Sequence, residues 1–352
     1  MNKKYIAAII CLVMTALILA GCGKNIGKTD SSPSNNTDAQ TVVYNTTFKD
    51  MPNISSDNVT AYVSGDTVIF ECINSGLDSF NAQLIGYSLK QDKVLGLVDL
   101  GEGTFQISLI EDGFIVFDLM KGTADYYDNA CSKTNSVTVF NVNTLHFANA
   151  SSDGKYILAQ NYSNGDLLVY NTETKRTSTL KKNIMVETVE YNDGKFYLMG
   201  TGAYVLEPEN NHFYSLSEKL RTYSVGKDYV FGNNGSYIVL LSTQKSDDKM
   251  INIDERQGSL IDVGDYGCVT ADYNGENSQA VFYDIENSCF AQFSSEGMIT
   301  CIRQISQSSA IVVAKNSDNI FEYSLLDLSK LKKNGLKIEA LNQDAIDGVL
   351  EM

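Results

Sequence analysis

Five turns of the Asp-Gly or Asn-Gly type recur along this chain at nearly constant intervals: Asp112-Gly113, Asp153-Gly154, Asp193-Gly194, Asn234-Gly235 and Asn274-Gly275. Their glycines stand 41, 40, 41 and 40 residues apart. Such dipeptides accept the positive backbone angles that tight hairpins demand. Between them lie short runs rich in Val, Ile, Tyr and Phe, among them Thr67 to Phe70, Phe114 to Phe117, Tyr156 to Leu158, Leu167 to Tyr170, Tyr237 to Leu241 and Ile311 to Val313. This is strand patterning. Apolar residues at helical spacing are confined to Leu325 to Leu331 and Ile346 to Leu350. A second series marks strands that end in a polar turn: Tyr87, Phe140-Asn141, Tyr170-Asn171, Leu206, Ile253-Asp254, Tyr283-Asp284 and Tyr323. The chain therefore reads as all-β, built from a repeated unit of about 40 residues. Seven units fit the marks better than six or eight.

A unit of that length made of four short strands has the size of a propeller blade. The stretch Ser152-Asp153-Gly154-Lys155-Tyr156-Ile157-Leu158, followed by Gly165-Asp166-Leu167-Leu168-Val169-Tyr170-Asn171, resembles WD40-like, YVTN and TolB-like propeller repeats. Asn192-Asp193-Gly194-Lys195-Phe196-Tyr197 keeps the first half of that motif, and Val281-Phe282-Tyr283-Asp284-Ile285 the second. With no Trp, the Trp-Asp ending of WD40 repeats is absent. The resemblance implies a β-propeller of four-stranded blades. It implies no particular activity, because propellers carry unrelated functions. The segment Thr41-Val42-Val43-Tyr44 is expected to pair with the last blade and close the ring.

The amino terminus has the layout of a secretory signal: Lys3 and Lys4, then an apolar run from Tyr5 to Ala20. As a helix that run is about 24 Å long, short of the roughly 30 Å of a bilayer core. The junction Leu19-Ala20-Gly21-Cys22 resembles a bacterial lipobox, which implies that Cys22 is diacylated and becomes the first mature residue. Two acyl chains suffice for stable anchoring. Residues 22–40 then read as a lipidated, disordered tether of Lys, Asn, Ser, Thr and Asp. The expected organisation is signal peptide 1–21, tether 22–40, propeller 41–330 and C-terminal tail 331–352. Lys outnumbers Arg by 23 to 4, a bias of low-GC Gram-positive bacteria. The expected location is the outer face of the cytoplasmic membrane.

Charge and chemistry narrow the function. The chain of 352 residues carries a formal charge of −16, and loss of residues 1–21 makes it about −18, so nucleic acid is not an expected partner. Only His146 and His212 are available as general bases, both read as surface turn residues, and no Gly-x-Ser-x-Gly elbow occurs. The sialidase and quinone-docking propeller motifs need Trp. Oxygen-rich segments at Asp272 to Asn277 and Asn161 to Asp166 read as hairpin turns rather than calcium loops. Cys72, Cys131, Cys268, Cys289 and Cys301 are an odd set without a CxxC pair, read as small strand fillers with no disulfide. Lys330, Lys332, Lys333 and Lys337 make a locally basic tail, read as solvated. No catalytic residue, cofactor or metal is assigned. The expected function is a non-enzymatic binding or scaffold module for a protein or cell-envelope partner. The alternative is a carbohydrate-active or saccharide-binding propeller using loop carboxylates and tyrosines.

Overall fold

The four-strand unit implied by the turns is an antiparallel sheet, and it occurs seven times. The computed structural model describes residues 40–41 and 46–341, apart from 76–79, 141–143, 183, 185, 234–236, 245–246 and 253–258. The blades span 58–102, 105–138, 145–180, 186–217, 222–252, 259–296 and 298–327. In each, the first strand lines the axis and later strands step outward. The second strands are the apolar runs of the sequence, such as Gly113–Asp118, buried at every position. Both faces of a blade are covered by its neighbours, so these strands do not alternate. Outermost strands such as Lys133–Thr138 are polar and mostly exposed.

The core is distributed over the seams. Among the described residues there are seven hydrophobic clusters, each shared by two consecutive blades, and one of them joins the seventh blade to the first. A sandwich would bury one continuous core between two sheets. Seven seams around an axis make a closed ring, a seven-bladed β-propeller.

Closure uses the start of the chain. The seventh blade has three consecutive strands, Met298–Ser306, Ser309–Lys315 and Phe321–Asp327, and Thr46–Thr47 supplies the fourth, antiparallel to the last of these. The adjoining Phe48 donates its N–H to the Tyr323 carbonyl at 2.9 Å. Its ring stacks on Tyr87 at 4.6 Å and lies 5.9 Å from Phe70, inside the seam between the seventh and first blades. The closing strand thus lies a few residues beyond the expected Thr41 to Tyr44. Thr41, with Gln40, instead runs parallel to Phe293 and Ser294 of the sixth blade. Val42, Val43 and Tyr44 lie outside the described residues. The anchor is Phe48, a large ring that fills a seam.

The end of the described chain is a strap, not the solvated segment read from its lysines. Lys333–Gly335 pairs with the outer strand of the sixth blade, and Ile338–Ala340 with that of the fifth. Leu331 and Leu336 are buried beneath it while Lys330, Lys332, Lys333 and Lys337 face outward. The expected helical stretch at Leu325 to Leu331 is strand followed by one 3-10 turn, Leu328–Lys330. Residues 342–352, including Ile346 to Leu350, lie outside the described residues.

Replacing Phe48 with Ala empties the closing seam. We expect a loss on the order of 3 kcal/mol and a fall of roughly 6 °C in unfolding temperature by calorimetry. The exposed Lys332→Ala, outside the seam, should leave the temperature unchanged.

Candidate functional site

Two ends of the ring are distinguished by the course of the inner strands. The upper end is where each inner strand begins and where second strands turn into third strands. The lower end is where first strands turn into second, and third into fourth.

Along the axis, side chains of one inner strand bond to the backbone of the next. Ala148 N–H donates to Gln106 Oε1 at 2.9 Å and Ala150 N–H to Ser108 Oγ at 3.1 Å. Asn149 Nδ2 donates to the Val189 carbonyl at 2.8 Å, and Asn192 Nδ2 to the Gly226 carbonyl at 2.7 Å. Asp262 Oδ2 accepts from Gln304 N–H at 2.9 Å. Ser278, on the third strand of the sixth blade, also ties to the seventh, its Oγ accepting from Ile299 N–H at 2.8 Å. Beside the first blade the Cys301 thiol, on an inner strand, faces the backbone of Ala61, and the Cys131 thiol, in the turn between the third and fourth strands of the second blade, faces that of Gly86. Burial pushes both thiols up to about 11, so they stay protonated fillers.

The lower half of the channel holds a charged group. Arg303 reaches Asp262 Oδ1 at 2.9 Å and the Val263 carbonyl at 3.3 Å. The Asp262 side chain is 2% exposed and that of Arg303 35% exposed, so the guanidinium faces the channel over a sunken carboxylate. Burial raises the pKa of Asp262 against the pull of Arg303. Burial also raises Glu190, opposed by a 2.6 Å hydrogen bond from Ser224 and by Arg303. Tyr62 donates to Glu71 Oε2 at 2.8 Å. Burial lifts Glu71 to about 7 despite that bond. One guanidinium therefore offsets the burial of two carboxyls, Asp262 and Glu190, while Glu71 is held by Tyr62 alone.

At the upper end, Arg221 pairs with Glu187 at 3.1 Å and lies 5.6 Å from the ring of Tyr223. Large apolar side chains are exposed at Leu97, Tyr162, Tyr223, Tyr273, Met298 and Ile320. All except Leu97 project at this end, from strand starts or from turns between second and third strands. Met298 follows Gly297, which bridges to Asn277 and joins the sixth and seventh blades near Tyr273. His146 is not a turn residue. It sits on the inner strand Leu145–Ala150, where its Nε2–H donates to the Val186 carbonyl at 2.8 Å. His212 is exposed at the start of an outer strand, 3.3 Å from Glu207. The oxygen-rich segments spend their side chains on their own turns: Asn274 Oδ1 accepts from Glu276 and Asn277, and Asn161 Oδ1 from Ser163.

Cys22, Leu19, Ala20 and Gly21 lie outside the described residues. The five later thiols are unpaired, with Cys72, Cys131, Cys268 and Cys301 buried and Cys289 partly so. Of the glycine turns, Asp112-Gly113, Asp153-Gly154 and Asp193-Gly194 are equivalent, each joining a first strand to a second. Asn274-Gly275 joins a second strand to a third, and Asn234-Gly235 lies outside the described residues. The better repeat mark is the polar residue that closes each third strand: Ser88, Asp128, Asn171, Glu207, Ser242, Asp284 and Asp327. At six of these, side-chain oxygens cap the following turn: Asp128 Oδ1 accepts from Ala130 and Ser132, Asn171 Oδ1 from Glu173 and Thr174, and Ser88, Ser242, Asp284 and Asp327 do likewise. Phe140 follows the fourth strand of its blade, so the true mark there is Tyr127-Asp128. Asp262, Arg303, Glu190 and Glu71 belong to no motif. Their signal in sequence is a lone charge inside an apolar strand, as Arg303 stands in Met298–Ser306.

No family model matches the chain, and no curated protein does. Solved structures match it in fold. The β-propeller domain of Cps50 (Swd1) from Myceliophteria thermophila has a TM-score of 0.52 at 9% identity, over 78% of this chain and 99% of that one. The acylaminoacyl peptidase of Pyrococcus horikoshii has 0.50 at 10% identity, over 83% of this chain and 53% of that one, about half its length. At such identities the likeness is one of fold alone. The class defined by ring, seams and channel is the β-propeller.

Folding raises Glu71 from an ordinary 4.5 to about 7, so its stabilising contribution is full below about pH 4.5 and lost as pH rises through about 7. Glu71→Gln should be more stable than wild type at pH 8 by on the order of 2 kcal/mol and equal to it at pH 4.5, measured by thermal unfolding at both values.

Proposed function

We propose that this protein is a bacterial lipoprotein with WD40-like or TolB-like propeller repeats, held by acylated Cys22 at the outer face of the cytoplasmic membrane of a Gram-positive cell. Its ring serves as a non-enzymatic binding module for a protein partner of the cell envelope. The lipobox Leu19-Ala20-Gly21-Cys22 and the polar tether to residue 40 support the address. The observation that carries the binding role is the gathering of exposed apolar side chains at one end. Tyr162, Tyr223, Tyr273, Met298 and Ile320 all lie there, against only Leu97 elsewhere among the described residues. Aromatic and Met side chains of this kind are the usual anchors of protein interfaces. His146 bonds a backbone carbonyl through Nε2 and has its Nδ1 buried, and His212 lies against a surface carboxylate, which weighs toward binding over hydrolysis.

Cys22→Ala should move the protein from the membrane fraction to the medium, and continued membrane association would refute the anchor. Crosslinking on intact cells, followed by mass spectrometry, should recover one membrane protein reproducibly with the wild-type chain. The triple variant Tyr273→Asp, Met298→Asp, Ile320→Asp should lose that partner while keeping its unfolding temperature. Undiminished recovery would place the interface elsewhere.

A further inference from the structure

At the lower end, away from the apolar face, the fifth and sixth blades part to leave a groove of about 460 Å³. This falls within the roughly 300–1,000 Å³ of small-molecule sites. One wall is the turn of the fifth blade that carries Lys227, Asp228 and Tyr229; the other carries Asp265 and Tyr266 of the sixth, with Glu286 and Ser288 at the rim. Ile338 of the C-terminal strap completes the lining.

Two glycines lie at the seam for different reasons. Gly226 is required by packing, because a Cβ there would stand 2.6 Å from the Gly264 carbonyl oxygen. Gly264 is not. A Cβ at Gly264 meets nothing within 4 Å, and its backbone is not in the left-handed region. A side chain in its place would project into open space, and Gly264 itself lines the groove. Since an unneeded glycine costs stability through the unfolded chain, its presence is explained by the groove it keeps open.

The lining selects the ligand class. Asp228 and Asp265 offer acceptors, as does Glu286 beside its bond from Gln307 Nε2, Lys227 and Ser288 offer donors, and Tyr266 and the part of Tyr229 not covered by Lys249 offer ring surface. Lys249 is already held, 2.9 Å from Asp247 and above the Tyr229 ring at 5.3 Å. A phosphate or other anion would meet three carboxylates on a protein of charge −16. An apolar ligand would strip water from charged groups and return no hydrogen bond. A polyhydroxylated ring meets both demands, with hydroxyls for the carboxylates and lysine and C–H faces for the tyrosines. We propose that this groove between the fifth and sixth blades binds a short neutral saccharide, in addition to the partner face at the upper end.

The test is an array of neutral oligosaccharides probed with the full chain, then calorimetric titration of the bound sugar, with inorganic phosphate as the anion probe. Saccharide binding should weaken at least about tenfold in Gly264→Leu, which fills the groove, and in Tyr266→Ala, which removes a ring face. Both variants should unfold at the wild-type temperature, since a Cβ at Gly264 meets nothing within 4 Å and Tyr266 belongs to none of the seam clusters. If Gly264→Leu does not fold, Gly264→Ala and Tyr266→Ala carry the comparison. Failure of the array to yield any neutral sugar, binding undiminished in the groove variants, or binding of phosphate in preference would each overturn the proposal.

Discussion

The ring depends on hydrogen bonds that run from the side chains of one inner strand to the backbone of the next. A blade pairs its four strands internally, so nothing in its own ladder fixes its neighbour. Apolar seams hold blades together but do not set their height along the axis, because dispersion and the hydrophobic effect have little direction. The bonds of Gln106 and Ser108 to the third blade, of Asn149 to the fourth and of Asp262 to the seventh do set it. They are buried or half-buried, where an unmade bond is costly. Asn, Gln, Ser and Asp at inner-strand positions are thus structural requirements of the channel, and much of its polarity is already committed to the ring.

That commitment shapes what is left for function. Asp262 pairs with Arg303 and accepts from the Gln304 amide, and Glu190 accepts from Ser224, so much of the lower channel's polarity is committed between neighbouring blades. Unspent chemistry lies at the two ends. The upper end shows apolar and aromatic side chains on strand starts and turns, and the lower end has acid-rich turns with a groove where two blades part. Binding groups on turns held by a rigid frame are a common arrangement. The straps add to that frame asymmetrically: the N-terminal strands and the C-terminal strap cover the fifth, sixth and seventh blades, the region that contains the groove.

The architecture was legible because two physical constraints repeat with the blade. In the second, third and fourth blades the turn between the first and second strands takes a positive angle at the glycine of Asp-Gly, and in six blades the turn after the third strand is capped by Asp, Asn or Ser. Where these signals are ambiguous, sequence and structure differ. Phe140 stood in for Tyr127, and Asn274-Gly275 kept the period while marking a different turn. Closure by Thr46–Thr47 was displaced because the anchor is one aromatic ring, Phe48, with no periodic signature. The strap was missed because its lysines speak for solvent while Leu331 and Leu336, spaced for neither helix nor strand, do the packing. The channel charges and the groove were not legible at all. They join residues about 40 apart that become neighbours only when the ring closes, as Asp262 and Gln304 do.

Native-state hydrogen exchange followed residue by residue tests this account most directly. If inner-strand stitching holds the ring, the amides of Ala148, Ala150 and Gln304 exchange only through global unfolding, with the highest protection in the molecule and a common free energy. The outer strand Lys133–Thr138 exchanges through smaller local openings. Faster exchange at Ala148, Ala150 and Gln304 than in the outer strands would contradict the claim and leave the apolar seams as the sole support of the ring.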